Sequence, residues 1–348
     1  MLCRTLGGDR RSHRAEPAQE EKDRVATAEV RASEIDLDQA LARKPRSPLQ
    51  DAWLILLQNK VAIGSGIFLV LLTLSAIFAP WVAPQGVDEQ KLEDNYMPPG
   101  SKYILGADRF GRDILSRVIY GARVSLAVAF AASGVSLAIG LIYGLVSGYF
   151  GGTVDNVMMR IVDILYGFPF LIFVILLQVY FKAVANRGGG GILAAPVIAL
   201  DRKMGGMLFI FLALGALNWI GMSRIARGQV LSYKEMEFIQ GARSIGASDM
   251  RIIFRHLLPN ILGPCIVSET MAIPGYIFTE AFLSFIGLGV NAPTPSWGIM
   301  VNNGYRAMRS HPHVLWPPAL ALVLTTLAFN FLGDGLRDAF DPRMKGTF

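Results

Sequence analysis

The stretch Val124–Phe150 reads VSLAVAFAASGVSLAIGLIYGLVSGYF and contains no charged residue. It exceeds the roughly 20 apolar residues that a membrane-spanning helix needs. Gly140, Gly144 and Gly148 recur at every fourth position, which places them on one helix face. Small residues on such a face let a neighbouring backbone come close in lipid. The stretch therefore predicts a membrane helix with a close-packing seam.

Five further apolar stretches flank it: Val61–Ala79, Val157–Phe181 broken near Pro169, Met207–Met222, Ile261–Leu288 with Pro264 and Pro274 inside, and Val314–Leu332. Pro and Gly are tolerated in such spans because neighbours satisfy the freed backbone groups. The 348 residues are 52% hydrophobic and 17% charged, against about 25% charged in an ordinary soluble domain. The mean hydropathy is +0.41. The expected fold is all-α, a polytopic membrane protein with about six transmembrane helices. Its expected divisions are a tail over 1–52, a first helix with a polar segment over 53–123, and a five-helix core over 124–348. The Gly-rich loop 182–205 has no assigned role, and the apolar run Ile192–Leu200 within it is too short to span.

The net charge of +6 fits cytoplasmic loops rich in Lys and Arg better than nucleic-acid binding, because no basic stripe is interleaved with aromatics. The first 50 residues lack the apolar core of a secretory signal and read as a cytoplasmic tail. With the N-terminus inside, inner segments hold 21 of the 33 Lys and Arg residues and outer segments 12. Six spans then leave both termini cytoplasmic.

Between two spans lies Glu237–Pro259, EFIQGARSIGASDMRIIFRHLLP. Ile239, Ala242, Ile245, Met250, Ile253 and Leu257 recur at helical spacing, with Arg243, Asp249, Arg251 and Arg255 between them. This predicts an amphipathic helix–turn–helix hinged at Gly246 and lying along the membrane. Amphipathicity alone leaves two roles open: an interfacial anchor, or a rigid knob offered to a soluble partner.

The segment resembles the cytoplasmic coupling motif of ABC importer permeases: Glu-Ala-Ala, three residues, Gly, nine residues, Ile, any residue, Leu-Pro. Ala242, Gly246, Leu258 and Pro259 fall on that pattern. Gln240 stands for its Glu, Gly241 for its first Ala and His256 for its Ile, with the spacing intact. LGADRFGRDILSRVIYGARVSL (Leu105–Leu126), EAFLSFIGLGVNAPTPSWGIMV (Glu280–Val301) and NFLGDGLRDAFDPR (Asn330–Arg343) resemble the C-type permease of oligopeptide and dipeptide importers. The resemblance covers about residues 50–343 and implies the type I permease fold of a bacterial inner membrane. It also implies a second permease, two ATPase subunits that bind ATP and Mg, and an extracytoplasmic peptide-binding protein. The ATPase-coupling residues it implies are Gln240, Gly241, Ala242, Gly246, Asp249, Leu258 and Pro259. No GxxxxGK[ST] phosphate loop occurs, so this chain is expected to hold no cofactor and to catalyse nothing.

Ionisable residues inside spans are costly and mark function more often than chance. Glu269 is the candidate for the translocation pathway, either facing a peptide amino group or bonded to a neighbouring helix. Asp163 is expected to pair with Arg160, and Glu280 to be structural. Arg109–Asp113 and Asp113–Arg117 have the spacing of an exposed, self-paired helix. His311 and His313 have no third ligand nearby, against the three or four of a typical zinc site. Trp81, Trp297 and Trp316 are expected in an aromatic belt. The same architecture carrying nickel is the alternative substrate reading. An intramembrane protease lacks paired aspartates and HExxH, and a passive channel has no need of a coupling segment.

Overall fold

A computed structural model describes residues 48–187, 191–291 and 293–340; the expected tail, up to residue 47, lies outside them. The elements are α1 (Pro48–Gln58), α2 (Lys60–Ile77), α3 (Ile114–Phe150), α4 (Gly152–Tyr166), α5 (Phe170–Arg187), α6 (Gly191–Lys203), α7 (Met207–Tyr233) and α8 (Glu237–Ser244). They continue with α9 (Asp249–Phe285), α10 (Trp297–Ala307) and α11 (Trp316–Phe340). Among the described residues there is no β-strand, only an isolated bridge between Ala107 and Asp113. Helices α2, α3, α7, α9 and α11 are long and apolar enough to cross a membrane. The pair α4 and α5, bent by 80°, passes the same test only when taken together, so five to six spanning units stand against the expected six.

Helix α3 begins at Ile114, ahead of the expected Val124, because Asp113 caps it: its carboxylate accepts the Ser116 N–H at 2.7 Å. Hydropathy marks where lipid begins, whereas the cap marks where the helix begins. At 37 residues and about 1.5 Å per residue, α3 is much longer than the roughly 30 Å hydrocarbon layer. The expected glycine face meets α7. A Cβ on Gly140 would lie 2.6 Å from Met222 Cβ, and one on Gly148 would lie 2.9 Å from Val230 Cβ. Helix α9 packs across α3, and α11 packs on α9 and α2.

Among the described residues the interior contains a small apolar core of Ile114, Met300 and Val314 and two large ones. One is built from Val124–Ala132 of α3, Ile210–Ile220 of α7, Ile273–Leu283 of α9 and residues of α2 and α11. The other holds Leu141, Leu145 and Tyr149 of α3, Met222, Ala226 and Val230 of α7, and Ile261 and Cys265 of α9. Between them along α3 and α9 lie Ser136 and Glu269, both buried and hydrogen-bonded to each other at 3.2 Å.

Candidate functional site

The Glu237–Pro259 segment grows out of the second core. Ile239, Ala242, Ile252, Ile253 and Leu257 are buried in it. Helix α8 stops in a paired turn: Ala247 N–H reaches Ala242 O at 3.0 Å and Gly246 N–H reaches Arg243 O at 2.9 Å. This closure places Gly246 at φ +82°, where a side chain would be strained. From Asp249 the chain runs unbroken into α9, so only α8 stands as a separate short helix. A widened turn at Ile252–Leu257, where Leu258 N–H bonds Ile253 O, accommodates Pro259, which has no N–H of its own.

The expected coupling residues divide by environment. Gln240, Gly241, Gly246, Asp249 and Pro259 are exposed, Leu258 is half-buried and Ala242 is buried. Asp249 accepts the Tyr149 hydroxyl at 2.6 Å, and the Arg243 guanidinium lies 5.6 Å from the same ring. Sequence spacing alone missed Tyr149, because it stands inside an apolar run. Ile245 and Met250, expected on the apolar face, are instead 86% and 63% exposed. With Met236, Phe238 and Phe254, also exposed, they leave apolar surface uncovered among charged residues, which is how a docking surface presents itself.

The neighbouring helix ends are tied together. Asp155 of α4 receives Arg227 of α7 and the Ser147 hydroxyl of α3, each at 2.5 Å. Asp163 pairs with Arg224 of α7 at 2.8 Å, not with Arg160 as its spacing predicts. An exposed pair within one helix is worth only a few tenths of a kcal/mol. Arg224 is also held in place by stacking on Tyr166 at 4.5 Å.

Glu269 is bonded to its neighbours: Oε1 accepts from Tyr276 at 2.7 Å and Oε2 from Ser136. It also lines a cavity of about 380 Å³ between α7 and α9, together with Asn218, Ser268 and Tyr276. Glu280 is fully buried, accepts from Ser125 at 2.9 Å and Ser284 at 2.7 Å, and lines no part of that cavity.

At the other end of α3 the expected exposed, self-paired helix is absent. Residues Leu105–Asp113 form turns, and Asp108, Arg112, Asp113 and Arg117 are all buried. Asp113 is spent on the cap, so Asp108 takes the cations: Arg112 at 2.6 Å and Arg117 at 3.8 Å. Its other oxygen caps the Phe110 N–H at 2.8 Å. Nearby, Lys102 and then the Tyr103 hydroxyl hold the Asp94 carboxyl below its ordinary value. Burial, followed by the bond to Asp94, pushes the Tyr103 hydroxyl up to about 12. Trp297 is likewise no belt residue. It is buried, with its indole N–H on Val118 O at 3.0 Å, whereas Trp81 and Trp316 are exposed. Among the described residues no cluster of three metal-ligating side chains occurs. His311 instead stacks on Tyr96 at 4.2 Å.

Removing the Asp108 carboxylate leaves the buried Arg112 without its ion-pair partner and Arg117 with only the Val87 carbonyl as a hydrogen-bond acceptor. Asp108→Ala is therefore expected to cost about 3–5 kcal/mol, read as a fall in thermal midpoint of the detergent-solubilised protein. Arg109→Ala, at an exposed neighbour, should stay within about 0.5 kcal/mol. Equal midpoints for the two variants would remove the structural role assigned to Asp108.

The chain is a member of the family of binding-protein-dependent transport system inner membrane components, whose model matches residues 140–346. Residues 47–99 match the N-terminal TM domain of oligopeptide transport permease C. The chain is 42% identical to the dipeptide transport system permease protein DppC of Bacillus subtilis, over 88% of this chain and 89% of that protein. It is 39% identical to the oligopeptide transport system permease protein OppC of Haemophilus influenzae, over 86% and 89%. It is 38% identical to the glutathione transport system permease protein GsiD of Pectobacterium atrosepticum, over 86% and 93%. An inward-facing MetNI methionine ABC transporter chain aligns with a TM-score of 0.47 at 19% identity, over 65% of this chain and 97% of that one. The family and the apolar helices make this a multi-pass inner-membrane protein.

Proposed function

We propose that this chain is one of two permease subunits of an ATP-driven importer of short peptides. The relatives carry dipeptide, oligopeptide and glutathione in their names, which favours a peptide over nickel. Both termini lie in the cytoplasm, and the chain itself catalyses nothing. ATP and Mg are bound by two ATPase subunits, and an extracytoplasmic binding protein delivers the peptide to the side that carries Asp88–Arg117. Glu237–Pro259 docks on an ATPase through Gln240, Gly241, Gly246 and the exposed side chains of Ile245 and Met250. Ala242, Asp249, Leu258 and Pro259 hold that knob in shape. The peptide passes along the groove between α7 and α9 beside Glu269.

The observation that carries this reading is the knob itself: its base is built into a buried core while its tip exposes Ile245 at 86%. An interfacial anchor turns its apolar side chains toward lipid on one face, whereas here Ile239, Ile252, Ile253 and Leu257 are buried in the core of the protein and Ile245 and Met250 are exposed. The test is uptake of labelled di- to pentapeptides by cells with and without the gene at fixed energy supply. Uptake lost on deletion and restored by the intact gene is the expected result. Unchanged uptake in cells with no second peptide importer would remove peptides as the substrate.

A further inference from the structure

Helix α9 carries two buried glutamates in very different settings. Glu280 is enclosed on every side, with 0% exposure and serine hydroxyls on both oxygens. Glu269 receives one hydroxyl on each oxygen, from Tyr276 and Ser136, and a carboxylate has about four acceptor positions. Acceptor capacity therefore remains, at the wall of the 380 Å³ cavity. Among the described residues no Lys or Arg lines that cavity, so the negative charge has no cation of its own.

The cavity is shaped to admit a guest at this place. A Cβ added to Gly221 of α7 or Gly275 of α9 would meet nothing within 4 Å, so both walls are open there. Asn218, which lines the same space, donates its amide N–H to Leu214 O at 2.7 Å, and its carbonyl oxygen makes no hydrogen bond among the described residues. A volume of this size lies within the roughly 300–1,000 Å³ of small-ligand sites. An unpaired carboxylate within a membrane is costly and is retained where it meets a charged partner.

We propose that Glu269, with Asn218 as second acceptor, is the subsite for the positively charged amino terminus of the transported peptide. This rests on the reading of the chain as a peptide permease. The three N–H donors of an ammonium suit the acceptor oxygens of two residues that line one cavity, among whose lining residues there is no Lys or Arg. The serine and tyrosine hydroxyls hold the Glu269 carboxyl group in place.

The test is equilibrium binding of trialanine and N-acetyl-trialanine to the solubilised permease–ATPase assembly without its binding protein, followed by calorimetry. The wild-type assembly should bind trialanine at least about tenfold more tightly than the acetylated form, the lower end for a hydrogen bond between charged groups. Glu269→Gln should weaken trialanine alone, bringing the two affinities together, with an unchanged thermal midpoint. Glu269→Asp should restore part of the difference. Equal wild-type affinities, no binding of either probe, or an equal loss of both together with thermal stability would overturn the proposal. Uptake of trialanine by the complete transporter separates this from the substrate reading. Uptake without discrimination at Glu269 removes only the subsite, whereas no uptake by the wild type removes the substrate and the subsite together.

Discussion

Gly144→Leu is expected to leave no folded protein in the membrane extract. A Cβ at this position would lie 2.5 Å from Ser223 O, 2.6 Å from Ala226 Cβ and 2.7 Å from Arg227 N. Two of these three atoms belong to the α7 backbone, so no side-chain rotation relieves the clash, and the helices must separate. Separation would open the second core along Leu141, Leu145, Met222 and Ala226 and pull Arg227 from Asp155. Overpacking typically costs about 1–3 kcal/mol where side chains can yield. Here they cannot, and the loss takes most of a stability of about 5–15 kcal/mol. Gly134→Leu is the control, because nothing lies within 4 Å of its Cβ on the same helix. Size-exclusion chromatography of both variants after extraction decides the matter. A monodisperse Gly144→Leu protein with the wild-type midpoint would show that the seam is not closely packed in the membrane.

The double variant Ile245→Glu with Met250→Glu is expected to lose the ATPase subunits while keeping its own fold. Both side chains are exposed, at 86% and 63%, so the chain alone gives up little by the change. At a docked interface the same positions become central apolar anchors, each worth about 2 kcal/mol or more when disrupted. Together they correspond to roughly a thousandfold weaker association, seen as absence of the ATPase subunits after affinity purification of the permease. Deleting Gln240–Pro259 outright is a poorer test, because it also removes Ala242, Ile252, Ile253 and Leu257 from the second core. ATPase subunits that still co-purify with the double variant would place the docking surface elsewhere.

The parts of this fold legible in the sequence were those set by period and by composition. Gly140, Gly144 and Gly148 announced a close approach before the partner helix was known, because one helix face and three missing side chains allow little else. The break near Pro169 was legible too, but its 80° bend was not: a proline removes a hydrogen bond without fixing the direction in which the chain resumes. The charged block Asp108–Arg117 was misread for a physical reason. The expected pairs of Asp113 with Arg109 and Arg117 need a helix through the whole block, and here the helix begins at Ile114 with Asp113 as its cap, so Asp108 in the preceding turn takes Arg112 and Arg117 instead. Trp297 was misplaced because hydropathy cannot tell a tryptophan at the lipid boundary from one that fills the space beside Gly121. Within the candidate sites, Glu269 was visible as an unusual charge, but its hydroxyl partners lie on residues 133 positions earlier and 7 positions later. Only the first of these distances demands tertiary structure, and it is the one that places the carboxylate between two helices.

The layer of Ser136 and Glu269 between the two large apolar cores, reached from the first core by the Tyr276 hydroxyl, also bears on how force travels. Interlocked Leu and Ile side chains resist sliding, because every displaced atom loses close contacts. Hydroxyls and a carboxylate can exchange one partner for another with much smaller loss. Below that layer, α8, the ends of α3 and α7 and the first turns of α9 share one core. Helices α3, α7 and α9 run unbroken from this core through the layer into the core above, so a push on Ile245 would reach the cavity along their length.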